Sequence, residues 1–375
     1  MSNDDYSPRF SFLFLSNNNA QPMKRLLLGM TFLISHASCL ISVAQPAGDY
    51  YQAADGKKAA ELKSALFAII SPHTVVTYTP GVWNAINSYD LRADGKIWEI
   101  YSGIGEYTPV TDQDKGDETD VEGLVYNREH AMPKSWFNEA VPDNYSASCY
   151  PMYTDLHHLF PTDRVVNSLR SNYPYGEVGK VTKQSEGGFS KFGRCTDELG
   201  YKDASALNGR VFEPNDEYKG DLARVYFYMA ACYESYKNEK GVVRSPKDWK
   251  SDMLTGDVYP FFTDWALKML LRWAANDPVS EKEVKRNEGI YGIQKNRNPF
   301  VDYPGLEQYI WGSKMDVAFS YDNYQAPGTT GISELHRLTA PVADDAVYNL
   351  NGQRMDGQHL KKGVYIRRGK KMVVR

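Results

Sequence analysis

YNREHAMPKSWF, residues 126–137, and TDLHHLFPTDRVVNSLRSNYPYGEV, residues 154–178, form the stretch on which the fold turns. Three of the seven histidines lie here: His130, directly preceded by Glu129, and the neighbours His157 and His158. Arg128, Arg164 and Arg170 share the stretch with Asn167 and Asn172. An imidazole is about half neutral near its ordinary pKa of about 6.5, so His130 can take a proton from water. Glu129 is a hard oxygen ligand of the kind Mg2+ prefers, and guanidinium groups match phosphate oxygens. Hydrolysis of a phosphodiester needs those parts: an in-line water, a base, and positive charge where the phosphate and leaving oxygens gather electrons. Residues 124–130 read as a strand. Successive residues of a strand point to opposite faces, so a twist or bulge is expected to bring Glu129 and His130 to one phosphate. The same alternation is expected to point one of His157 and His158 into packing and the other toward the site.

Around this stretch the composition is that of a globular protein. The chain has 375 residues with 42% apolar content, enough for one large domain and a small appendage. Its net charge is −4, and the basic balance that often announces a nucleic-acid partner is missing. Residues 1–44 carry three basic and two acidic side chains and 342–375 carry eight and three, which leaves 45–341 at −10. Affinity for phosphate in such a body has to be confined to a cleft and be strongly salt dependent.

Met23-Lys24-Arg25 followed by LLLGMTFLI joins a positive segment to an apolar one, and Ser42-Val43-Ala44 offers a small-residue cleavage site. This reads as an export signal, with Met23 the expected start and no stable membrane span. The body is therefore expected to be secreted, periplasmic or held at the cell surface. An oxidising compartment permits a disulfide, and Cys149 with Cys195 is the expected pair; Cys39 falls in the signal and Cys232 in an apolar helix.

AAELKSALFAII (59–70) places Leu62, Leu66, Ile69 and Ile70 on one helical face. In 72–98, Trp83, Tyr89 and Trp98 are expected in the core, and Ile97–Tyr101 reads as a short strand. The acidic run TDQDKGDETDVE (111–122) reads as a solvated loop, because its oxygens lack the spacing of a calcium loop. Residues 179–215, Gly-rich with Lys180, Lys183, Lys191 and Arg194, read as loop and irregular strand near the site. Asp221–Tyr236 and Phe262–Trp273 repeat apolar residues at helical spacing, and Ser280 with Glu283 is a capping-box signature opening another helix. Residues 320–345 read as a linker. Beyond it VYNLNGQRM and GVYIRRGKKMVVR are two candidate hairpins, turning at Asn351-Gly352 and at Gly369, too short to hold a core of their own. The expected organisation is thus an extension and signal over 1–44, a catalytic domain over 45–319, the linker, and a β-rich tail over 346–375.

NREH (127–130), PKSWF (133–137), DLHHLFPTD (155–163) and VNSLRSNYPYGEV (166–178), in that order, resemble the bacterial endonuclease I family of secreted and periplasmic non-specific nucleases. KNRNPFVDYPGLEQYIWG (295–312) resembles that family's closing segment, so the similarity runs from about Tyr50 to Gly312. The resemblance implies an α+β fold with a ββα-metal (His-Me) finger at its core. It implies that His130 is the base, that Glu129 and Asn167 hold one divalent ion, Mg2+ or else Ca2+ or Mn2+, and that Arg170 and Asn172 contact phosphate, with Arg128 as a further candidate. Of the two neighbouring histidines, His157 is the candidate substrate contact on the residue reading above. Some members carry an arginine between the histidine and the DLH motif. Here residues 131–154 contain Lys134 as their one basic side chain, so that charge falls to Arg164 or Arg170. The implied partner is DNA, RNA or both, cut by a monomer to 5′-phosphate and 3′-hydroxyl ends. The tail is similar to C-terminal segments of exported Bacteroidetes proteins, some of them sorting signals. Other readings of the same residues are a phosphodiesterase acting on small or lipid phosphates, a zinc site from His130, Asp155 and His157, whose spacing fits no common zinc pattern, and a secreted adhesin suggested by the 27 tyrosines and seven tryptophans.

Overall fold

The computed structural model describes residues 48–116, 119–137, 150–196, 198, 201, 209–237 and 241–324, and the backbone of 347–349, 354–355, 362–367 and 370–374. The expected export signal, Cys149, the expected linker from 325 onward and the two expected tail turns lie outside the described residues. Helices alternate with small antiparallel sheets, an α+β architecture. Among the described residues no helix is long and apolar enough to cross a membrane.

The first helix, α1 (Ala59–Ile70), buries Leu62, Leu66 and Ile70 at four-residue intervals, as its pattern requires. Lys63 on the same helix is buried too, its charge met by Glu234 at 2.8 Å. A second helix, α2 (Trp83–Tyr89), follows with Trp83 and Ile86 buried. The expected strand at 97–101 does not form: Ile97 makes one isolated bridge to Leu91, and Glu99 turns the chain by accepting the N–H groups of Tyr101 and Ser102.

Strand β1 (Tyr126–His130) pairs antiparallel with β2 (Leu159–Asp163), and helix α3 (Arg164–Arg170) leaves β2 without a connecting loop. Residues 178–196 and 209–213 are more regular than their Gly-rich sequence implies. They form a three-stranded antiparallel sheet of β3 (Val178–Gln184), β4 (Lys191–Cys195) and β5 (Arg210–Glu213) in sequence order, with two register shifts in β3.

Helix α4 (Lys219–Cys232) is the centre of the molecule. Its sequence reads as amphipathic, yet every residue from Gly220 to Cys232 is buried. Such a helix needs its polar groups satisfied from outside, and Arg224 finds the Glu283 carboxylate at 2.5 and 2.8 Å. Gly220 is required by close approach, since a β-carbon there would meet the Asp277 carbonyl at 2.1 Å. The short strands β6 (Tyr236–Lys237) and β7 (Val243–Arg244) pair next, followed by α5 (Asp264–Asn276), α6 (Glu281–Gln294), α7 (Pro299–Asp302) and α8 (Glu307–Ile310). The Ser280–Glu283 capping box opens α6, and Lys295 in the left-handed region ends it. Glu283 serves both the cap and Arg224, tying the start of α6 to α4. In the tail, β8 (Val347–Asn349), β9 (Arg354–Met355), β10 (Gly363–Arg367) and β11 (Lys370–Val374) lie in the order β11-β10-β8-β9, all antiparallel.

Candidate active site

The β1–β2 register runs unbroken from Tyr126 opposite Asp163 to His130 opposite Leu159. The bulge expected at Glu129 and His130 is absent, and the two side chains occupy opposite faces at the strand's end. The site is built separately on each face.

On one face Glu129, 4% exposed, accepts the Tyr101 hydroxyl at 2.8 Å and the Arg170 guanidinium at 3.0 Å, both at Oε1. The Tyr175 hydroxyl joins Tyr101 at 2.5 Å, and its ring lies beneath Arg170. Burial raises the Glu129 carboxyl above its ordinary range, opposed by the Arg170 charge and the Tyr101 hydrogen bond. Helix α3 covers this face because its start is pinned. Asp163 caps the Val166 N–H at 2.9 Å and takes the Tyr107 hydroxyl at 2.5 Å, while its own N–H is held by Glu99. Burial pushes Glu99 up to about 8 against three backbone N–H donors that favour its charged form. Asn167 lies one helical turn before Arg170, and residues three apart share a helix face. Arg170 touches Glu129, so Asn167 lies on the Glu129 side of β1. A carboxylate and an amide oxygen there suit a hard divalent cation.

On the other face the His130 ring, 6% exposed, lies parallel to Tyr78 with centroids 5.9 Å apart, near the ring of Tyr153 and edge-on to His158. Its Nε2 lies 2.9 Å from the Tyr153 carbonyl, which can only accept, so Nε2 carries the proton and Nδ1 the lone pair. Burial holds the His130 pKa well below the usual histidine range, reinforced by the charges of His158, Lys134 and Arg128. A neutral imidazole with a defined tautomer is the form a general base needs.

Several sequence-based expectations change here. Arg170 is 1% exposed and donates to the carbonyls of His130 and Ala131 besides Glu129, so it holds the strand end and offers no surface to a phosphate. Arg128 shares the His130 face, two residues away. It stacks on Tyr78 at 3.6 Å and Trp83 at 4.3 Å and donates to the Tyr78 carbonyl, fastening the loop that covers His130. Arg164 reaches Asp114 at 3.4 Å and the Thr119 carbonyl in the acidic loop. Asn172 is exposed, its carbonyl held by Trp136.

His157 and His158 sit on a 3-10 turn (Leu156–His158) rather than a strand, and both are buried. It is His158 that lies against His130. His157 packs on Tyr228, 4.3 Å between ring centroids, 2% exposed, and burial lowers its pKa to about 3. It has no surface for substrate. Asp155 accepts four hydrogen bonds, from the His157 N–H, Gln294, Tyr228 and Tyr233, leaving no lone pair for a zinc ion shared with the histidines. The same saturation makes the neighbouring trio His73, Asp155 and Cys232 part of the core network. Cys195 is buried at the end of β4, and its expected partner lies outside the described residues.

Tyr101, Tyr78 and Glu99 escaped the sequence reading, because nothing local distinguishes them from core residues. Tyr175 carried a signal, its place in the NYPYGEV run.

With this geometry in view, comparison with known proteins is specific. The sequence pattern described as Endonuclease I matches residues 58–305. The chain is 33% identical over 286 residues to an extracellular ribonuclease of Bacillus amyloliquefaciens, covering 76% of this chain and 85% of the relative. It is 28% identical over 148 residues to endonuclease-1 of Buchnera aphidicola, covering 40% of this chain and 46% of that protein. A periplasmic deoxyribonuclease of Aeromonas hydrophila matches at 26% identity over 157 residues, 42% of this chain and 51% of the relative. The protein that places a buried carboxylate and a neutral histidine at the end of β1 is an endonuclease and belongs to the endonuclease I family.

Proposed function

We propose that this protein is an exported, divalent-metal-dependent endonuclease that hydrolyses DNA and RNA without sequence preference, and that β1, β2 and α3 form its His-Me finger. The observation that carries this reading is that His130, neutral with its lone pair on Nδ1, follows the buried Glu129 carboxylate directly at one strand end, each side chain serving its own face of β1. His130 Nδ1 takes the proton of the attacking water, and the Tyr153 carbonyl keeps Nε2 protonated and the ring in place. Glu129 and Asn167 hold the divalent ion, Mg2+ or alternatively Ca2+ or Mn2+. When bound, that ion supplies positive charge for the phosphate oxygens and the leaving 3′ oxygen. Arg170, Tyr101 and Tyr175 act through Glu129 as positioning residues, while exposed Asn172 remains the candidate for direct phosphate contact. With the base supplied by the protein, a substrate 2′-hydroxyl is unnecessary, and products carry 5′-phosphate and 3′-hydroxyl ends. Relatives named extracellular and periplasmic support export, and relatives named ribonuclease and deoxyribonuclease support action on both polymers. The catalytic domain is assigned to 45–319 and the tail, 346–375, to sorting.

The test compares the chain from residue 45 with its His130→Ala variant on supercoiled plasmid and on RNA, each in Mg2+ and in EDTA. Cleavage of both polymers, lost on chelation and in the folded variant, is expected. Full activity in that variant sinks His130 as the base. A cyclic phosphate product, or cleavage at one base sequence alone, sinks the mechanism.

A further inference from the structure

The sheet β3-β4-β5 carries a feature the site does not use. Lys180 of β3 stands opposite Arg194 of β4, and Arg194 stands opposite Arg210 of β5. Three cations thus lie side by side across three strands, all exposed. Lys180 and Arg210, at the two ends of this row, pair with no carboxylate among the described residues. Unlike Lys180 and Arg210, Lys219 is paired with Glu213, and Arg272 with Glu177. The row also stands out against an acidic background, since residues 45–341 carry net charge −10.

Its position gives the row a direction. Arg194 shares a sheet face with Phe192, and Arg210 with Phe212, each two residues along its strand. Phe212 packs on Tyr101 with centroids 4.7 Å apart and on Tyr175 at 6.4 Å, and those two tyrosines hold Glu129 and Arg170. The face that ends in the cations is therefore the face that backs the Glu129 half of the site. Neighbouring strands are about 4.8 Å apart, so the row spans about 10 Å, roughly three nucleotide steps of one strand at about 3.4 Å each.

We propose that Lys180, Arg194 and Arg210 form a phosphate-binding row that receives the backbone of a long nucleic acid beyond the Glu129–His130 site. This rests on the nuclease reading and extends it. The row confines attraction to one ridge of an acidic protein and contributes no base contact, as non-specific binding requires.

The test measures binding of a duplex DNA to the His130→Ala protein between 50 and 200 mM salt, with and without Lys180→Gln, Arg194→Gln and Arg210→Gln together. Each phosphate neutralised contributes about −0.9 to the slope of log affinity against log salt. Loss of the row is expected to make that slope shallower by about 2 to 3. A control with the same charge change elsewhere, Lys57→Gln, Lys247→Gln and Lys268→Gln, is expected to shift it by less than 1. Thermal melts of the variants establish that each is folded. Equal slopes for the row variant and the control overturn the row while leaving the nuclease reading intact. A wild-type protein that cleaves neither DNA nor RNA overturns the nuclease reading and the row with it.

Discussion

Arg170 and Arg210 are both arginines near the candidate site, and they do opposite things. Arg170 is sealed in the interior, bonded to the Glu129 carboxylate and two strand-end carbonyls and lying over Tyr175. Arg210 stands in the open beside Arg194, a neighbour of the same sign. A charge taken out of water must be met by fixed partners, after which it has little left to offer a ligand. A charge left in water remains available. Position in the fold, more than residue type, separates the cation that holds the machinery from the cation that meets the substrate.

The largest effect that sharpens this contrast belongs to the machinery. His130→Ala is expected to lower plasmid nicking by about 10²- to 10⁴-fold, the usual contribution of a positioned base, and initial nicking rates in Mg2+ measure it. Arg170→Ala should follow, destabilising the fold by about 3–5 kcal/mol in urea titration because it strands the buried Glu129 carboxylate. Adding Glu129→Gln to Arg170→Ala should recover part of that loss. If Arg170→Ala is neutral and only DNA binding suffers, Arg170 belongs with the row and the contrast collapses.

Burial sets proton affinity as well. His157, ordinarily near 6.5, is lowered to about 3 in the fold. Below pH 6.5 the unfolded chain takes up a proton that the folded chain refuses, so the stability His157 contributes is complete above 6.5 and declines as pH falls toward 3. His157→Gln removes this dependence. The stability gap between wild type and His157→Gln should therefore narrow by about 1.4 kcal/mol per pH unit below 6.5, as read from denaturation at pH 7.5, 6 and 5. A gap independent of pH would mean that His157 takes up its proton in the fold.

The smallest effect lies on the exposed side. Lys180→Gln or Arg210→Gln should change stability by no more than about 0.5 kcal/mol, as exposed substitutions away from the core do. Thermal melts at low salt, where surface charge is least screened, are the sensitive measurement.

What the sequence by itself determined was what nearest neighbours and short periodicities encode. The α1 face of Leu62, Leu66 and Ile70, the Ser280–Glu283 cap of α6 and the strand ending in Glu129-His130 were legible because each rests on residues within a few positions of one another. The motif order from NREH to the closing segment was enough to point to the family. Tertiary structure alone decided the rest. It enclosed α4 on every side despite an amphipathic pattern, because α1, α5 and α7 all pack on it. It turned His158 rather than His157 toward His130, since the LHH run folds as a 3-10 turn whose directions no strand alternation describes. It withdrew Arg170 from solvent and recruited Tyr101 from 28 residues before Glu129, and it set Lys180, Arg194 and Arg210 in one row across three strands. These outcomes depend on contacts between residues far apart in the chain, whose strength is set by burial and register, and neither quantity exists until the chain is folded.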